Sequence, residues 1–220
     1  MTDWLATCRE AVDDVRHVLA ELPTRADREP VVGAGEGGDD TTAIDQAAER
    51  AVLARFDAVD DVTFVSEEVG TIGDGRVHVV IDPIDGSLNA KRGIGFFALS
   101  VAVASGPTMG DVDFGFVHDF GSKEEWTATR GEGAFLNGHH LDGDRPKDRI
   151  EILSFEATRT ASVAEKAAAV VDLAYRLRIM GSLALSLCHL AAGRVDAVCS
   201  LKPARSVDIA AAQLLVLERG

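Results

Sequence analysis

Lysine is scarce in this 220-residue chain, with five lysines beside seventeen arginines. Acidic residues number 36, of which 22 are aspartate, and the formal net charge is −14. A balance of this sign argues against nucleic acid or an acidic membrane surface as a partner. It reads as a high-salt adaptation, a hypothesis that full folding in salt-free buffer would count against. Cysteine is nearly absent: Cys8, Cys188 and Cys199 form no C-x-x-C pair and are odd in number, which fits buried reduced thiols in a reducing compartment. No apolar run is long enough for a bilayer, the longest being Ser182 to Ala192. Asp3, Arg9 and Glu10 stand where a signal peptide needs an apolar core, so a cytoplasmic protein is expected. There is no internal repeat and no low-complexity segment. What remains, 46% hydrophobic and 26% charged residues, is the composition of an ordinary globular protein. The length suits one sizeable α/β domain or two small lobes around a shared core.

Apolar residues at Trp4, Leu5, Cys8, Val12, Val15, Leu19 and Leu22 predict a first helix ending before Pro23. Pro23 to Asp40 reads as a mobile polar segment. Thr41 or Thr42 then caps a helix whose apolar side runs from Ile44 to Phe56. Strands are expected at 62–65, 77–81, 96–105, 111–120, 125–129 and 134–136, with Gly106-Pro107 and Asn137-Gly138 as turns. Beyond the polar run 142–149 the pattern predicts a strand (150–155), a helix (162–174), a strand (177–180), a helix (182–192), a strand (195–200) and a last helix (207–217). The expected fold class is α/β (α+β), with an N-terminal lobe over 1–141, a connecting loop at 142–149 and a C-terminal lobe over 150–220.

The hexapeptide Asp82-Pro83-Ile84-Asp85-Gly86-Ser87 carries the most chemistry. It follows the apolar run Val77–Ile81, so two carboxylates leave a strand end on a proline-stiffened turn. Gly86 permits close approach to a bound group, and Ser87 opens a helical turn whose free N–H groups attract an anion. Glu67 and Glu68 follow another strand, Asp45 lies in the first turn of the second helix, and Asp208 opens the last helix. Oxygen ligands without a His or Cys cluster favour Mg²⁺ or Mn²⁺ over zinc. Each acid alone could be a solvated carboxylate or a helix cap. Metal ligands beside anion donors point to metal-assisted phosphoryl chemistry. Bound cations would also reverse the local charge that otherwise repels a phosphorylated substrate.

The motifs resemble those of the inositol monophosphatase-like phosphatases, especially archaeal members that also act on fructose 1,6-bisphosphate. Asp82 to Ser87 matches the family's D-P-(I/L)-D-G-(S/T), and Asn89 to Val101 looks like its continuation. Ser66-Glu67-Glu68, Thr42-Ala43-Ile44-Asp45, Gly181-Ser182-Leu183-Ala184 and Ser206 to Ala211 are similar to four further family segments, in the family's order. The likeness implies the layered α-β-α-β-α sandwich of the sugar phosphatases, with its C-terminal part shortened, because the chain stops where relatives continue. It implies that Glu67, Asp82 and the Ile84 carbonyl hold one Mg²⁺ and that Asp82, Asp85 and Asp208 hold a second, with a third ion touching Glu67 through water. The N–H groups of Gly86 and Ser87 would hold the phosphate. Asp45 and the Ser87 hydroxyl would orient and deprotonate the attacking water, and Glu68 would tune the first metal's surroundings. A homodimer is also implied. Val207 departs from the tryptophan usual before the last metal aspartate.

Other features are weaker. Gly33 to Gly38 satisfies G-x-G-x-x-G, but Glu36, Asp39 and Asp40 would repel a pyrophosphate and no full strand precedes it; a flexible loop near the metals is the better reading. His139-His140 follows a turn signal and reads as an exposed hairpin tip. Lys91 and Arg92 either face solvent or contact a second substrate phosphate, and Arg92 is carried as a substrate contact. Gly181, Ser182 and Ala184 are either substrate contacts or helix-capping and packing residues. The expected activity is Mg²⁺-dependent hydrolysis of small phosphate monoesters, inositol 1-phosphate first and fructose 1,6-bisphosphate second. The alternatives are a 3′-phosphoadenosine-type nucleotide phosphatase and a catalytically inactive metal-binding homologue.

Overall fold

The computed structural model describes residues 2–35, 40–143, 147–156 and 159–219. The first helix, α1 (Trp4–Glu21), is capped by Asp3, whose Oδ1 accepts from Ala6 N at 3.0 Å. Residues 23–35 and 40 of the segment expected to be mobile contain regular structure. Within it lie α2 (Arg25–Arg28), closed by a Thr24–Asp27 capping box, and β1 (Val31–Ala34), which pairs antiparallel with β2 (Asp40–Thr42). Local side-chain caps and a short ladder supply the order that apolar periodicity does not signal. Residues 36–39 of the G-x-G-x-x-G run lie outside the described residues. α3 (Ala43–Phe56) follows, with Thr42 as its N-cap.

Next come β3 (Val62–Ser66), β4 (Gly70–Ile72), β5 (Val77–Asp85), α4 (Ser87–Arg92), β6 (Ala98–Ala104), β7 (Val112–Asp119), β8 (Glu125–Thr129), β9 (Gly133–Leu136) and β10 (His139–His140). These strands form an eight-stranded sheet in the order β10-β9-β8-β7-β6-β5-β3-β4. Every pair is antiparallel except β3 with β5. The second half adds β11 (Ile150–Glu156), α5 (Thr160–Lys166), β12 (Ala174–Arg178), α6 (Leu183–Ala191), β13 (Ala197–Ser200) and α7 (Ser206–Glu218). β12, β11 and β13 form a parallel three-stranded sheet.

Two expectations about element ends are corrected. The helix expected over 162–174 ends at Lys166 and passes into a 3₁₀ turn (Ala167–Val170), and Ala174 already belongs to β12. None of its residues is buried, so tertiary packing does not extend it. Strand β5 does not stop at Ile81 but runs through the hexapeptide to Asp85. Asp82 pairs with Ser100 and Asp85 with Ala98, so three steps on β5 match two on β6. The resulting bulge absorbs Pro83, which has no N–H to give the ladder.

The layers follow from how β6 divides its side chains. Leu99, Val101 and Val103 face α1 and α3, packing with Cys8, Val12, Val15, Ile44, Val52 and Phe56. Ala98, Ala102 and Ala104 face α6 and α7, with Trp126, Leu185, Cys188, Leu214 and Leu215. Alanines on the second face let α7 lie close. At Gly115 of β7 an added Cβ would come 2.7 Å from the Ala211 carbonyl of α7. Helix α7 is apolar nearly all round, as a helix between two layers must be. The mixed α/β class and its layering are those expected.

Candidate active site

β3 and β5 run parallel, so their C-terminal ends reach the same edge of the sheet. Of the residues after β3, Glu67 therefore meets Asp82 and Asp85 at the end of β5, while Glu68 turns towards Thr41. Helix α7 brings Asp208, at its third position, to the same point. Ligand atoms of Asp82, Asp85 and Asp208 lie within 4.8 Å of one another, and all three residues are buried. Ile84 N donates to Asp82 Oδ1 at 3.0 Å, and Asp85 Oδ2 accepts from Ser182 Oγ (2.6 Å) and Ala184 N (2.7 Å) at the start of α6. The α6 N-terminus thus holds Asp85 in place.

Electrostatics sets what this cluster can bind. Burial pushes the Asp82 carboxyl well above its usual range, and the charges of Glu67, Asp85 and Asp208 push it further. Burial also raises Asp85, to about 7, against the opposing hydrogen bonds from Ser182 and Ala184. Such carboxyls hold protons unless a cation replaces them. One cation comes from the chain itself. The Arg205 guanidinium donates through Nη2 to Glu67 Oε1 (2.6 Å) and to Asp208 Oδ1 (2.7 Å). Burial works to lower its pKa, but the Asp208 and Glu67 partners raise it overall. Desolvated, mutually repelling, all-oxygen donors fit hard divalent cations.

Gly86 sits at φ +93° and starts α4. An added Cβ there would lie 3.0 Å from the Phe96 carbonyl and 3.2 Å from that of Gly181, so glycine is required for both space and dihedral. Asn89 Nδ2 donates to the carbonyls of Phe96 (2.8 Å) and Met180 (2.7 Å), fastening α4 to the segment before α6. A cavity of about 280 Å³ opens here. Glu67, Asp82, Ile84, Asp85, Gly86, Ser87, Gly181 and Asp208 line it, together with Glu156, Ser200, Lys202 and Arg205.

The remaining expected residues stand apart from that lining. Asp45 is buried; its Oδ2 accepts from Thr42 Oγ1 (2.5 Å) and N (3.2 Å) and meets Lys91 Nζ at 3.2 Å. Its Oδ1 is buried with no hydrogen-bond partner among the described residues. Glu68 accepts from Thr41 Oγ1, and burial raises its carboxyl, with Asp45, Glu67 and Glu49 adding to the rise. Ser182 and Ala184 are buried against Asp85, and Arg92 pairs with Glu29 at 2.8 Å. His139 and His140 form the exposed hairpin strand expected of them.

Four residues escaped the sequence reading. Glu49 Oε1 accepts from Ser66 Oγ (2.5 Å) and from Glu68 N and Val69 N (both 3.2 Å), and so shapes the turn that presents Glu67. It lies four residues after Asp45, on the same helix face, which is the signal that could have found it. Arg205 precedes Asp208 by three residues, another helical spacing. Glu156 and Lys202 carry no local signal.

A model of the inositol monophosphatase family matches residues 5–220. This chain belongs to that family. Membership makes it a phosphatase. The chain is 32% identical to a fructose-1,6-bisphosphatase/inositol-1-monophosphatase of Methanothermobacter thermautotrophicus, over 99% of this chain and 82% of the relative. It is 33% identical to the Nus factor SuhB of Escherichia coli, over 83% of this chain and 70% of that protein. A solved inositol monophosphatase–fructose 1,6-bisphosphatase superposes with a TM-score of 0.87 at 30% identity, covering 100% of this chain and 84% of the other.

Proposed function

We propose that the chain hydrolyses small phosphate monoesters with Mg²⁺, inositol 1-phosphate and fructose 1,6-bisphosphate being the substrates. The observation that carries this is the meeting of Asp82, Asp85 and Asp208 oxygens within 4.8 Å, beside the N-terminus of α4. Glu67, Asp82 and the Ile84 carbonyl would hold one ion, and Asp82, Asp85 and Asp208 a second. A third would reach Glu67 through water, and Mn²⁺ suits the same donors. When bound, such ions acidify water, neutralise phosphate oxygens and stabilise a leaving alkoxide.

The chain's own groups supply the rest. The N–H groups of Gly86 and Ser87, at the start of α4, would hold a phosphate oxygen. The Ser87 hydroxyl and Asp45 orient the attacking water and take its proton, with the unpartnered Asp45 Oδ1 as the acceptor. Glu68, beside Glu67, tunes the first ion's surroundings. Gly181 belongs to the substrate wall with Ser182 and Ala184, which act through Asp85. Arg92 is the outlying basic residue of that reading.

The reading includes two lobes, 1–141 and 150–220, with the site drawing Asp85 from one and Asp208 from the other. It also includes a homodimer working in the cytoplasm. No helix among the described residues is long and apolar enough to cross a membrane, and Cys8, Cys188 and Cys199 are free. The similarity to a Nus factor makes a non-catalytic role the second reading. Phosphate release from inositol 1-phosphate, fructose 1,6-bisphosphate and a 3′-phosphoadenosine ester, with Mg²⁺ and with chelator, decides between them. Mg²⁺-dependent release from the first two is expected; no release from any ester overturns the proposal.

A further inference from the structure

Resting on the monoesterase reading, we propose that Lys91 is a positioning residue for the hydrolysis: its ammonium occupies the Oδ2 edge of Asp45 and leaves Oδ1 as the acceptor for the attacking water's proton.

Lys91 is the exception among the lysines. Lys123, Lys147, Lys166 and Lys202 are exposed, whereas the Lys91 side chain is 14% exposed and that of its partner Asp45 6%. Sheltering an ammonium costs free energy unless a counter-charge meets it, and here Nζ lies 3.2 Å from Asp45 Oδ2. The backbone that aims Lys91 is fastened on both sides. Arg28 Nη1 donates to the Ala90 carbonyl at 2.8 Å, and Arg92 Nε donates to Glu29 Oε1 at 2.8 Å. Two residues earlier, Asn89 ties α4 to the carbonyls of Phe96 and Met180. Lys91 also follows Ser87 by four residues, so the two share one face of α4. The same short helix thus offers the hydroxyl and the ammonium on the side turned to Asp45.

The contacts on Asp45 are lopsided. Oδ2 takes Thr42 Oγ1 (2.5 Å), Thr42 N (3.2 Å) and Lys91 Nζ (3.2 Å), while Oδ1 is buried with no hydrogen-bond partner among the described residues. A carboxylate oxygen offers about two lone-pair positions, so three donors fill Oδ2 and a proton reaching Asp45 goes to Oδ1. The Thr42 contacts alone are an ordinary capping box; the ammonium adds the positive charge. It opposes the repulsion between Asp45 and Glu68 and so favours the ionised carboxylate that a general base must be. As the water oxygen bonds phosphorus, its proton passes to Oδ1. The ester P–O bond breaks with its electron pair on the departing alkoxide, which solvent protonates. Lys91 acts on this step through Asp45 alone.

Steady-state kinetics with Mg²⁺ on inositol 1-phosphate test this with K91M, K91R, D45N and the double variant K91M/D45N. K91M should lose about tenfold in kcat while KM and the calorimetric Mg²⁺ affinity each stay within about threefold. K91R, which keeps the charge, should recover most of the loss. The double variant should turn over as slowly as D45N and no slower, because the two residues act as one unit. Thermal melts check folding, and K91Q takes the place of K91M where methionine unfolds the chain. Unchanged kcat in K91M, K91R as slow as K91M, a matching loss of Mg²⁺ affinity, or a further loss in the double variant each overturns the role of Lys91. The two levels fail differently. A wild type that turns over beside an equally fast K91M removes Lys91 and leaves the monoesterase reading standing, whereas a wild type that releases phosphate from no ester overturns that reading and this role with it.

Discussion

Metal affinity should rise steeply with pH across the acidic range. Asp85 has its carboxyl raised to about 7 by burial, and Asp82 is raised as well. A cation must displace those protons, so its apparent affinity falls tenfold for each pH unit below the carboxyl's pKa, per proton displaced. Between pH 7 and pH 5, Asp85 alone weakens Mg²⁺ by more than about tenfold, and Asp82 makes the slope steeper. The linkage to folding has a definite sign. Because the folded-state pKa of Asp85 lies above its ordinary 3.8, its stabilising contribution is full below about pH 4 and is lost as pH rises towards 7. His118 acts oppositely: burial lowers its pKa from 6.5 to about 4, so its contribution grows over nearly the same interval. Metal-free stability therefore mixes the two, whereas the difference between Mg²⁺ and chelator isolates the acidic cluster. Isothermal titration calorimetry at about pH 5, 6, 7 and 8, in buffers of different ionisation enthalpy, yields both affinity and protons released. An affinity flat over that range, with no proton release, would refute the reasoning.

Three substitutions probe the supports of the site. Arg205→Met leaves Glu67 and Asp208 without their cation; since the arginine side chain is 36% exposed, the usual buried-pair penalty is discounted to about 1–2 kcal/mol. Thermal melts of the metal-free chain should show that loss while calorimetry shows Mg²⁺ binding about tenfold tighter; weaker Mg²⁺ binding would contradict the role given to the guanidinium. Gly86→Ala forces a Cβ to 3.0 Å from the Phe96 carbonyl at φ +93°, which should cost about 1–3 kcal/mol and suppress phosphate release, and unchanged kcat would disprove the cradle. Leu185→Ala, at a fully buried position between the sheets, should cost about 2–5 kcal/mol in urea denaturation; a loss below about 1 kcal/mol would mean α6 is not packed as described.

The parts legible in the sequence are those where one local pattern suffices. Period-3.6 apolar spacing located α1, β composition on either side of Gly106-Pro107 located β6 and β7, and a late apolar run located α7. The hexapeptide disclosed Asp82 and Asp85 together with the left-handed Gly86 that starts α4, because Pro83, Gly86 and Ser87 act over a few residues. The less legible features depend on distant partners. That β5 continues past Pro83 depends on Ser100 and Ala98 of β6. The early end of α5 reflects a missing packing surface rather than a breaker residue. That Ser182 and Ala184 serve Asp85 depends on a contact spanning nearly a hundred positions. Arg205 reaches Glu67 from 138 positions away, and no spacing rule announces such a pair.

Diffraction from crystals soaked with Mn²⁺ and inorganic phosphate, recorded for the manganese anomalous signal, is the most direct trial of the idea that these acids share divalent ions. Peaks should fall between Asp82, Asp85 and Asp208 and beside Glu67, with phosphate against Gly86 and Ser87 and the Arg205 guanidinium displaced. An anomalous map with no peak at those four carboxylates, or with manganese only at surface acids, would contradict the account.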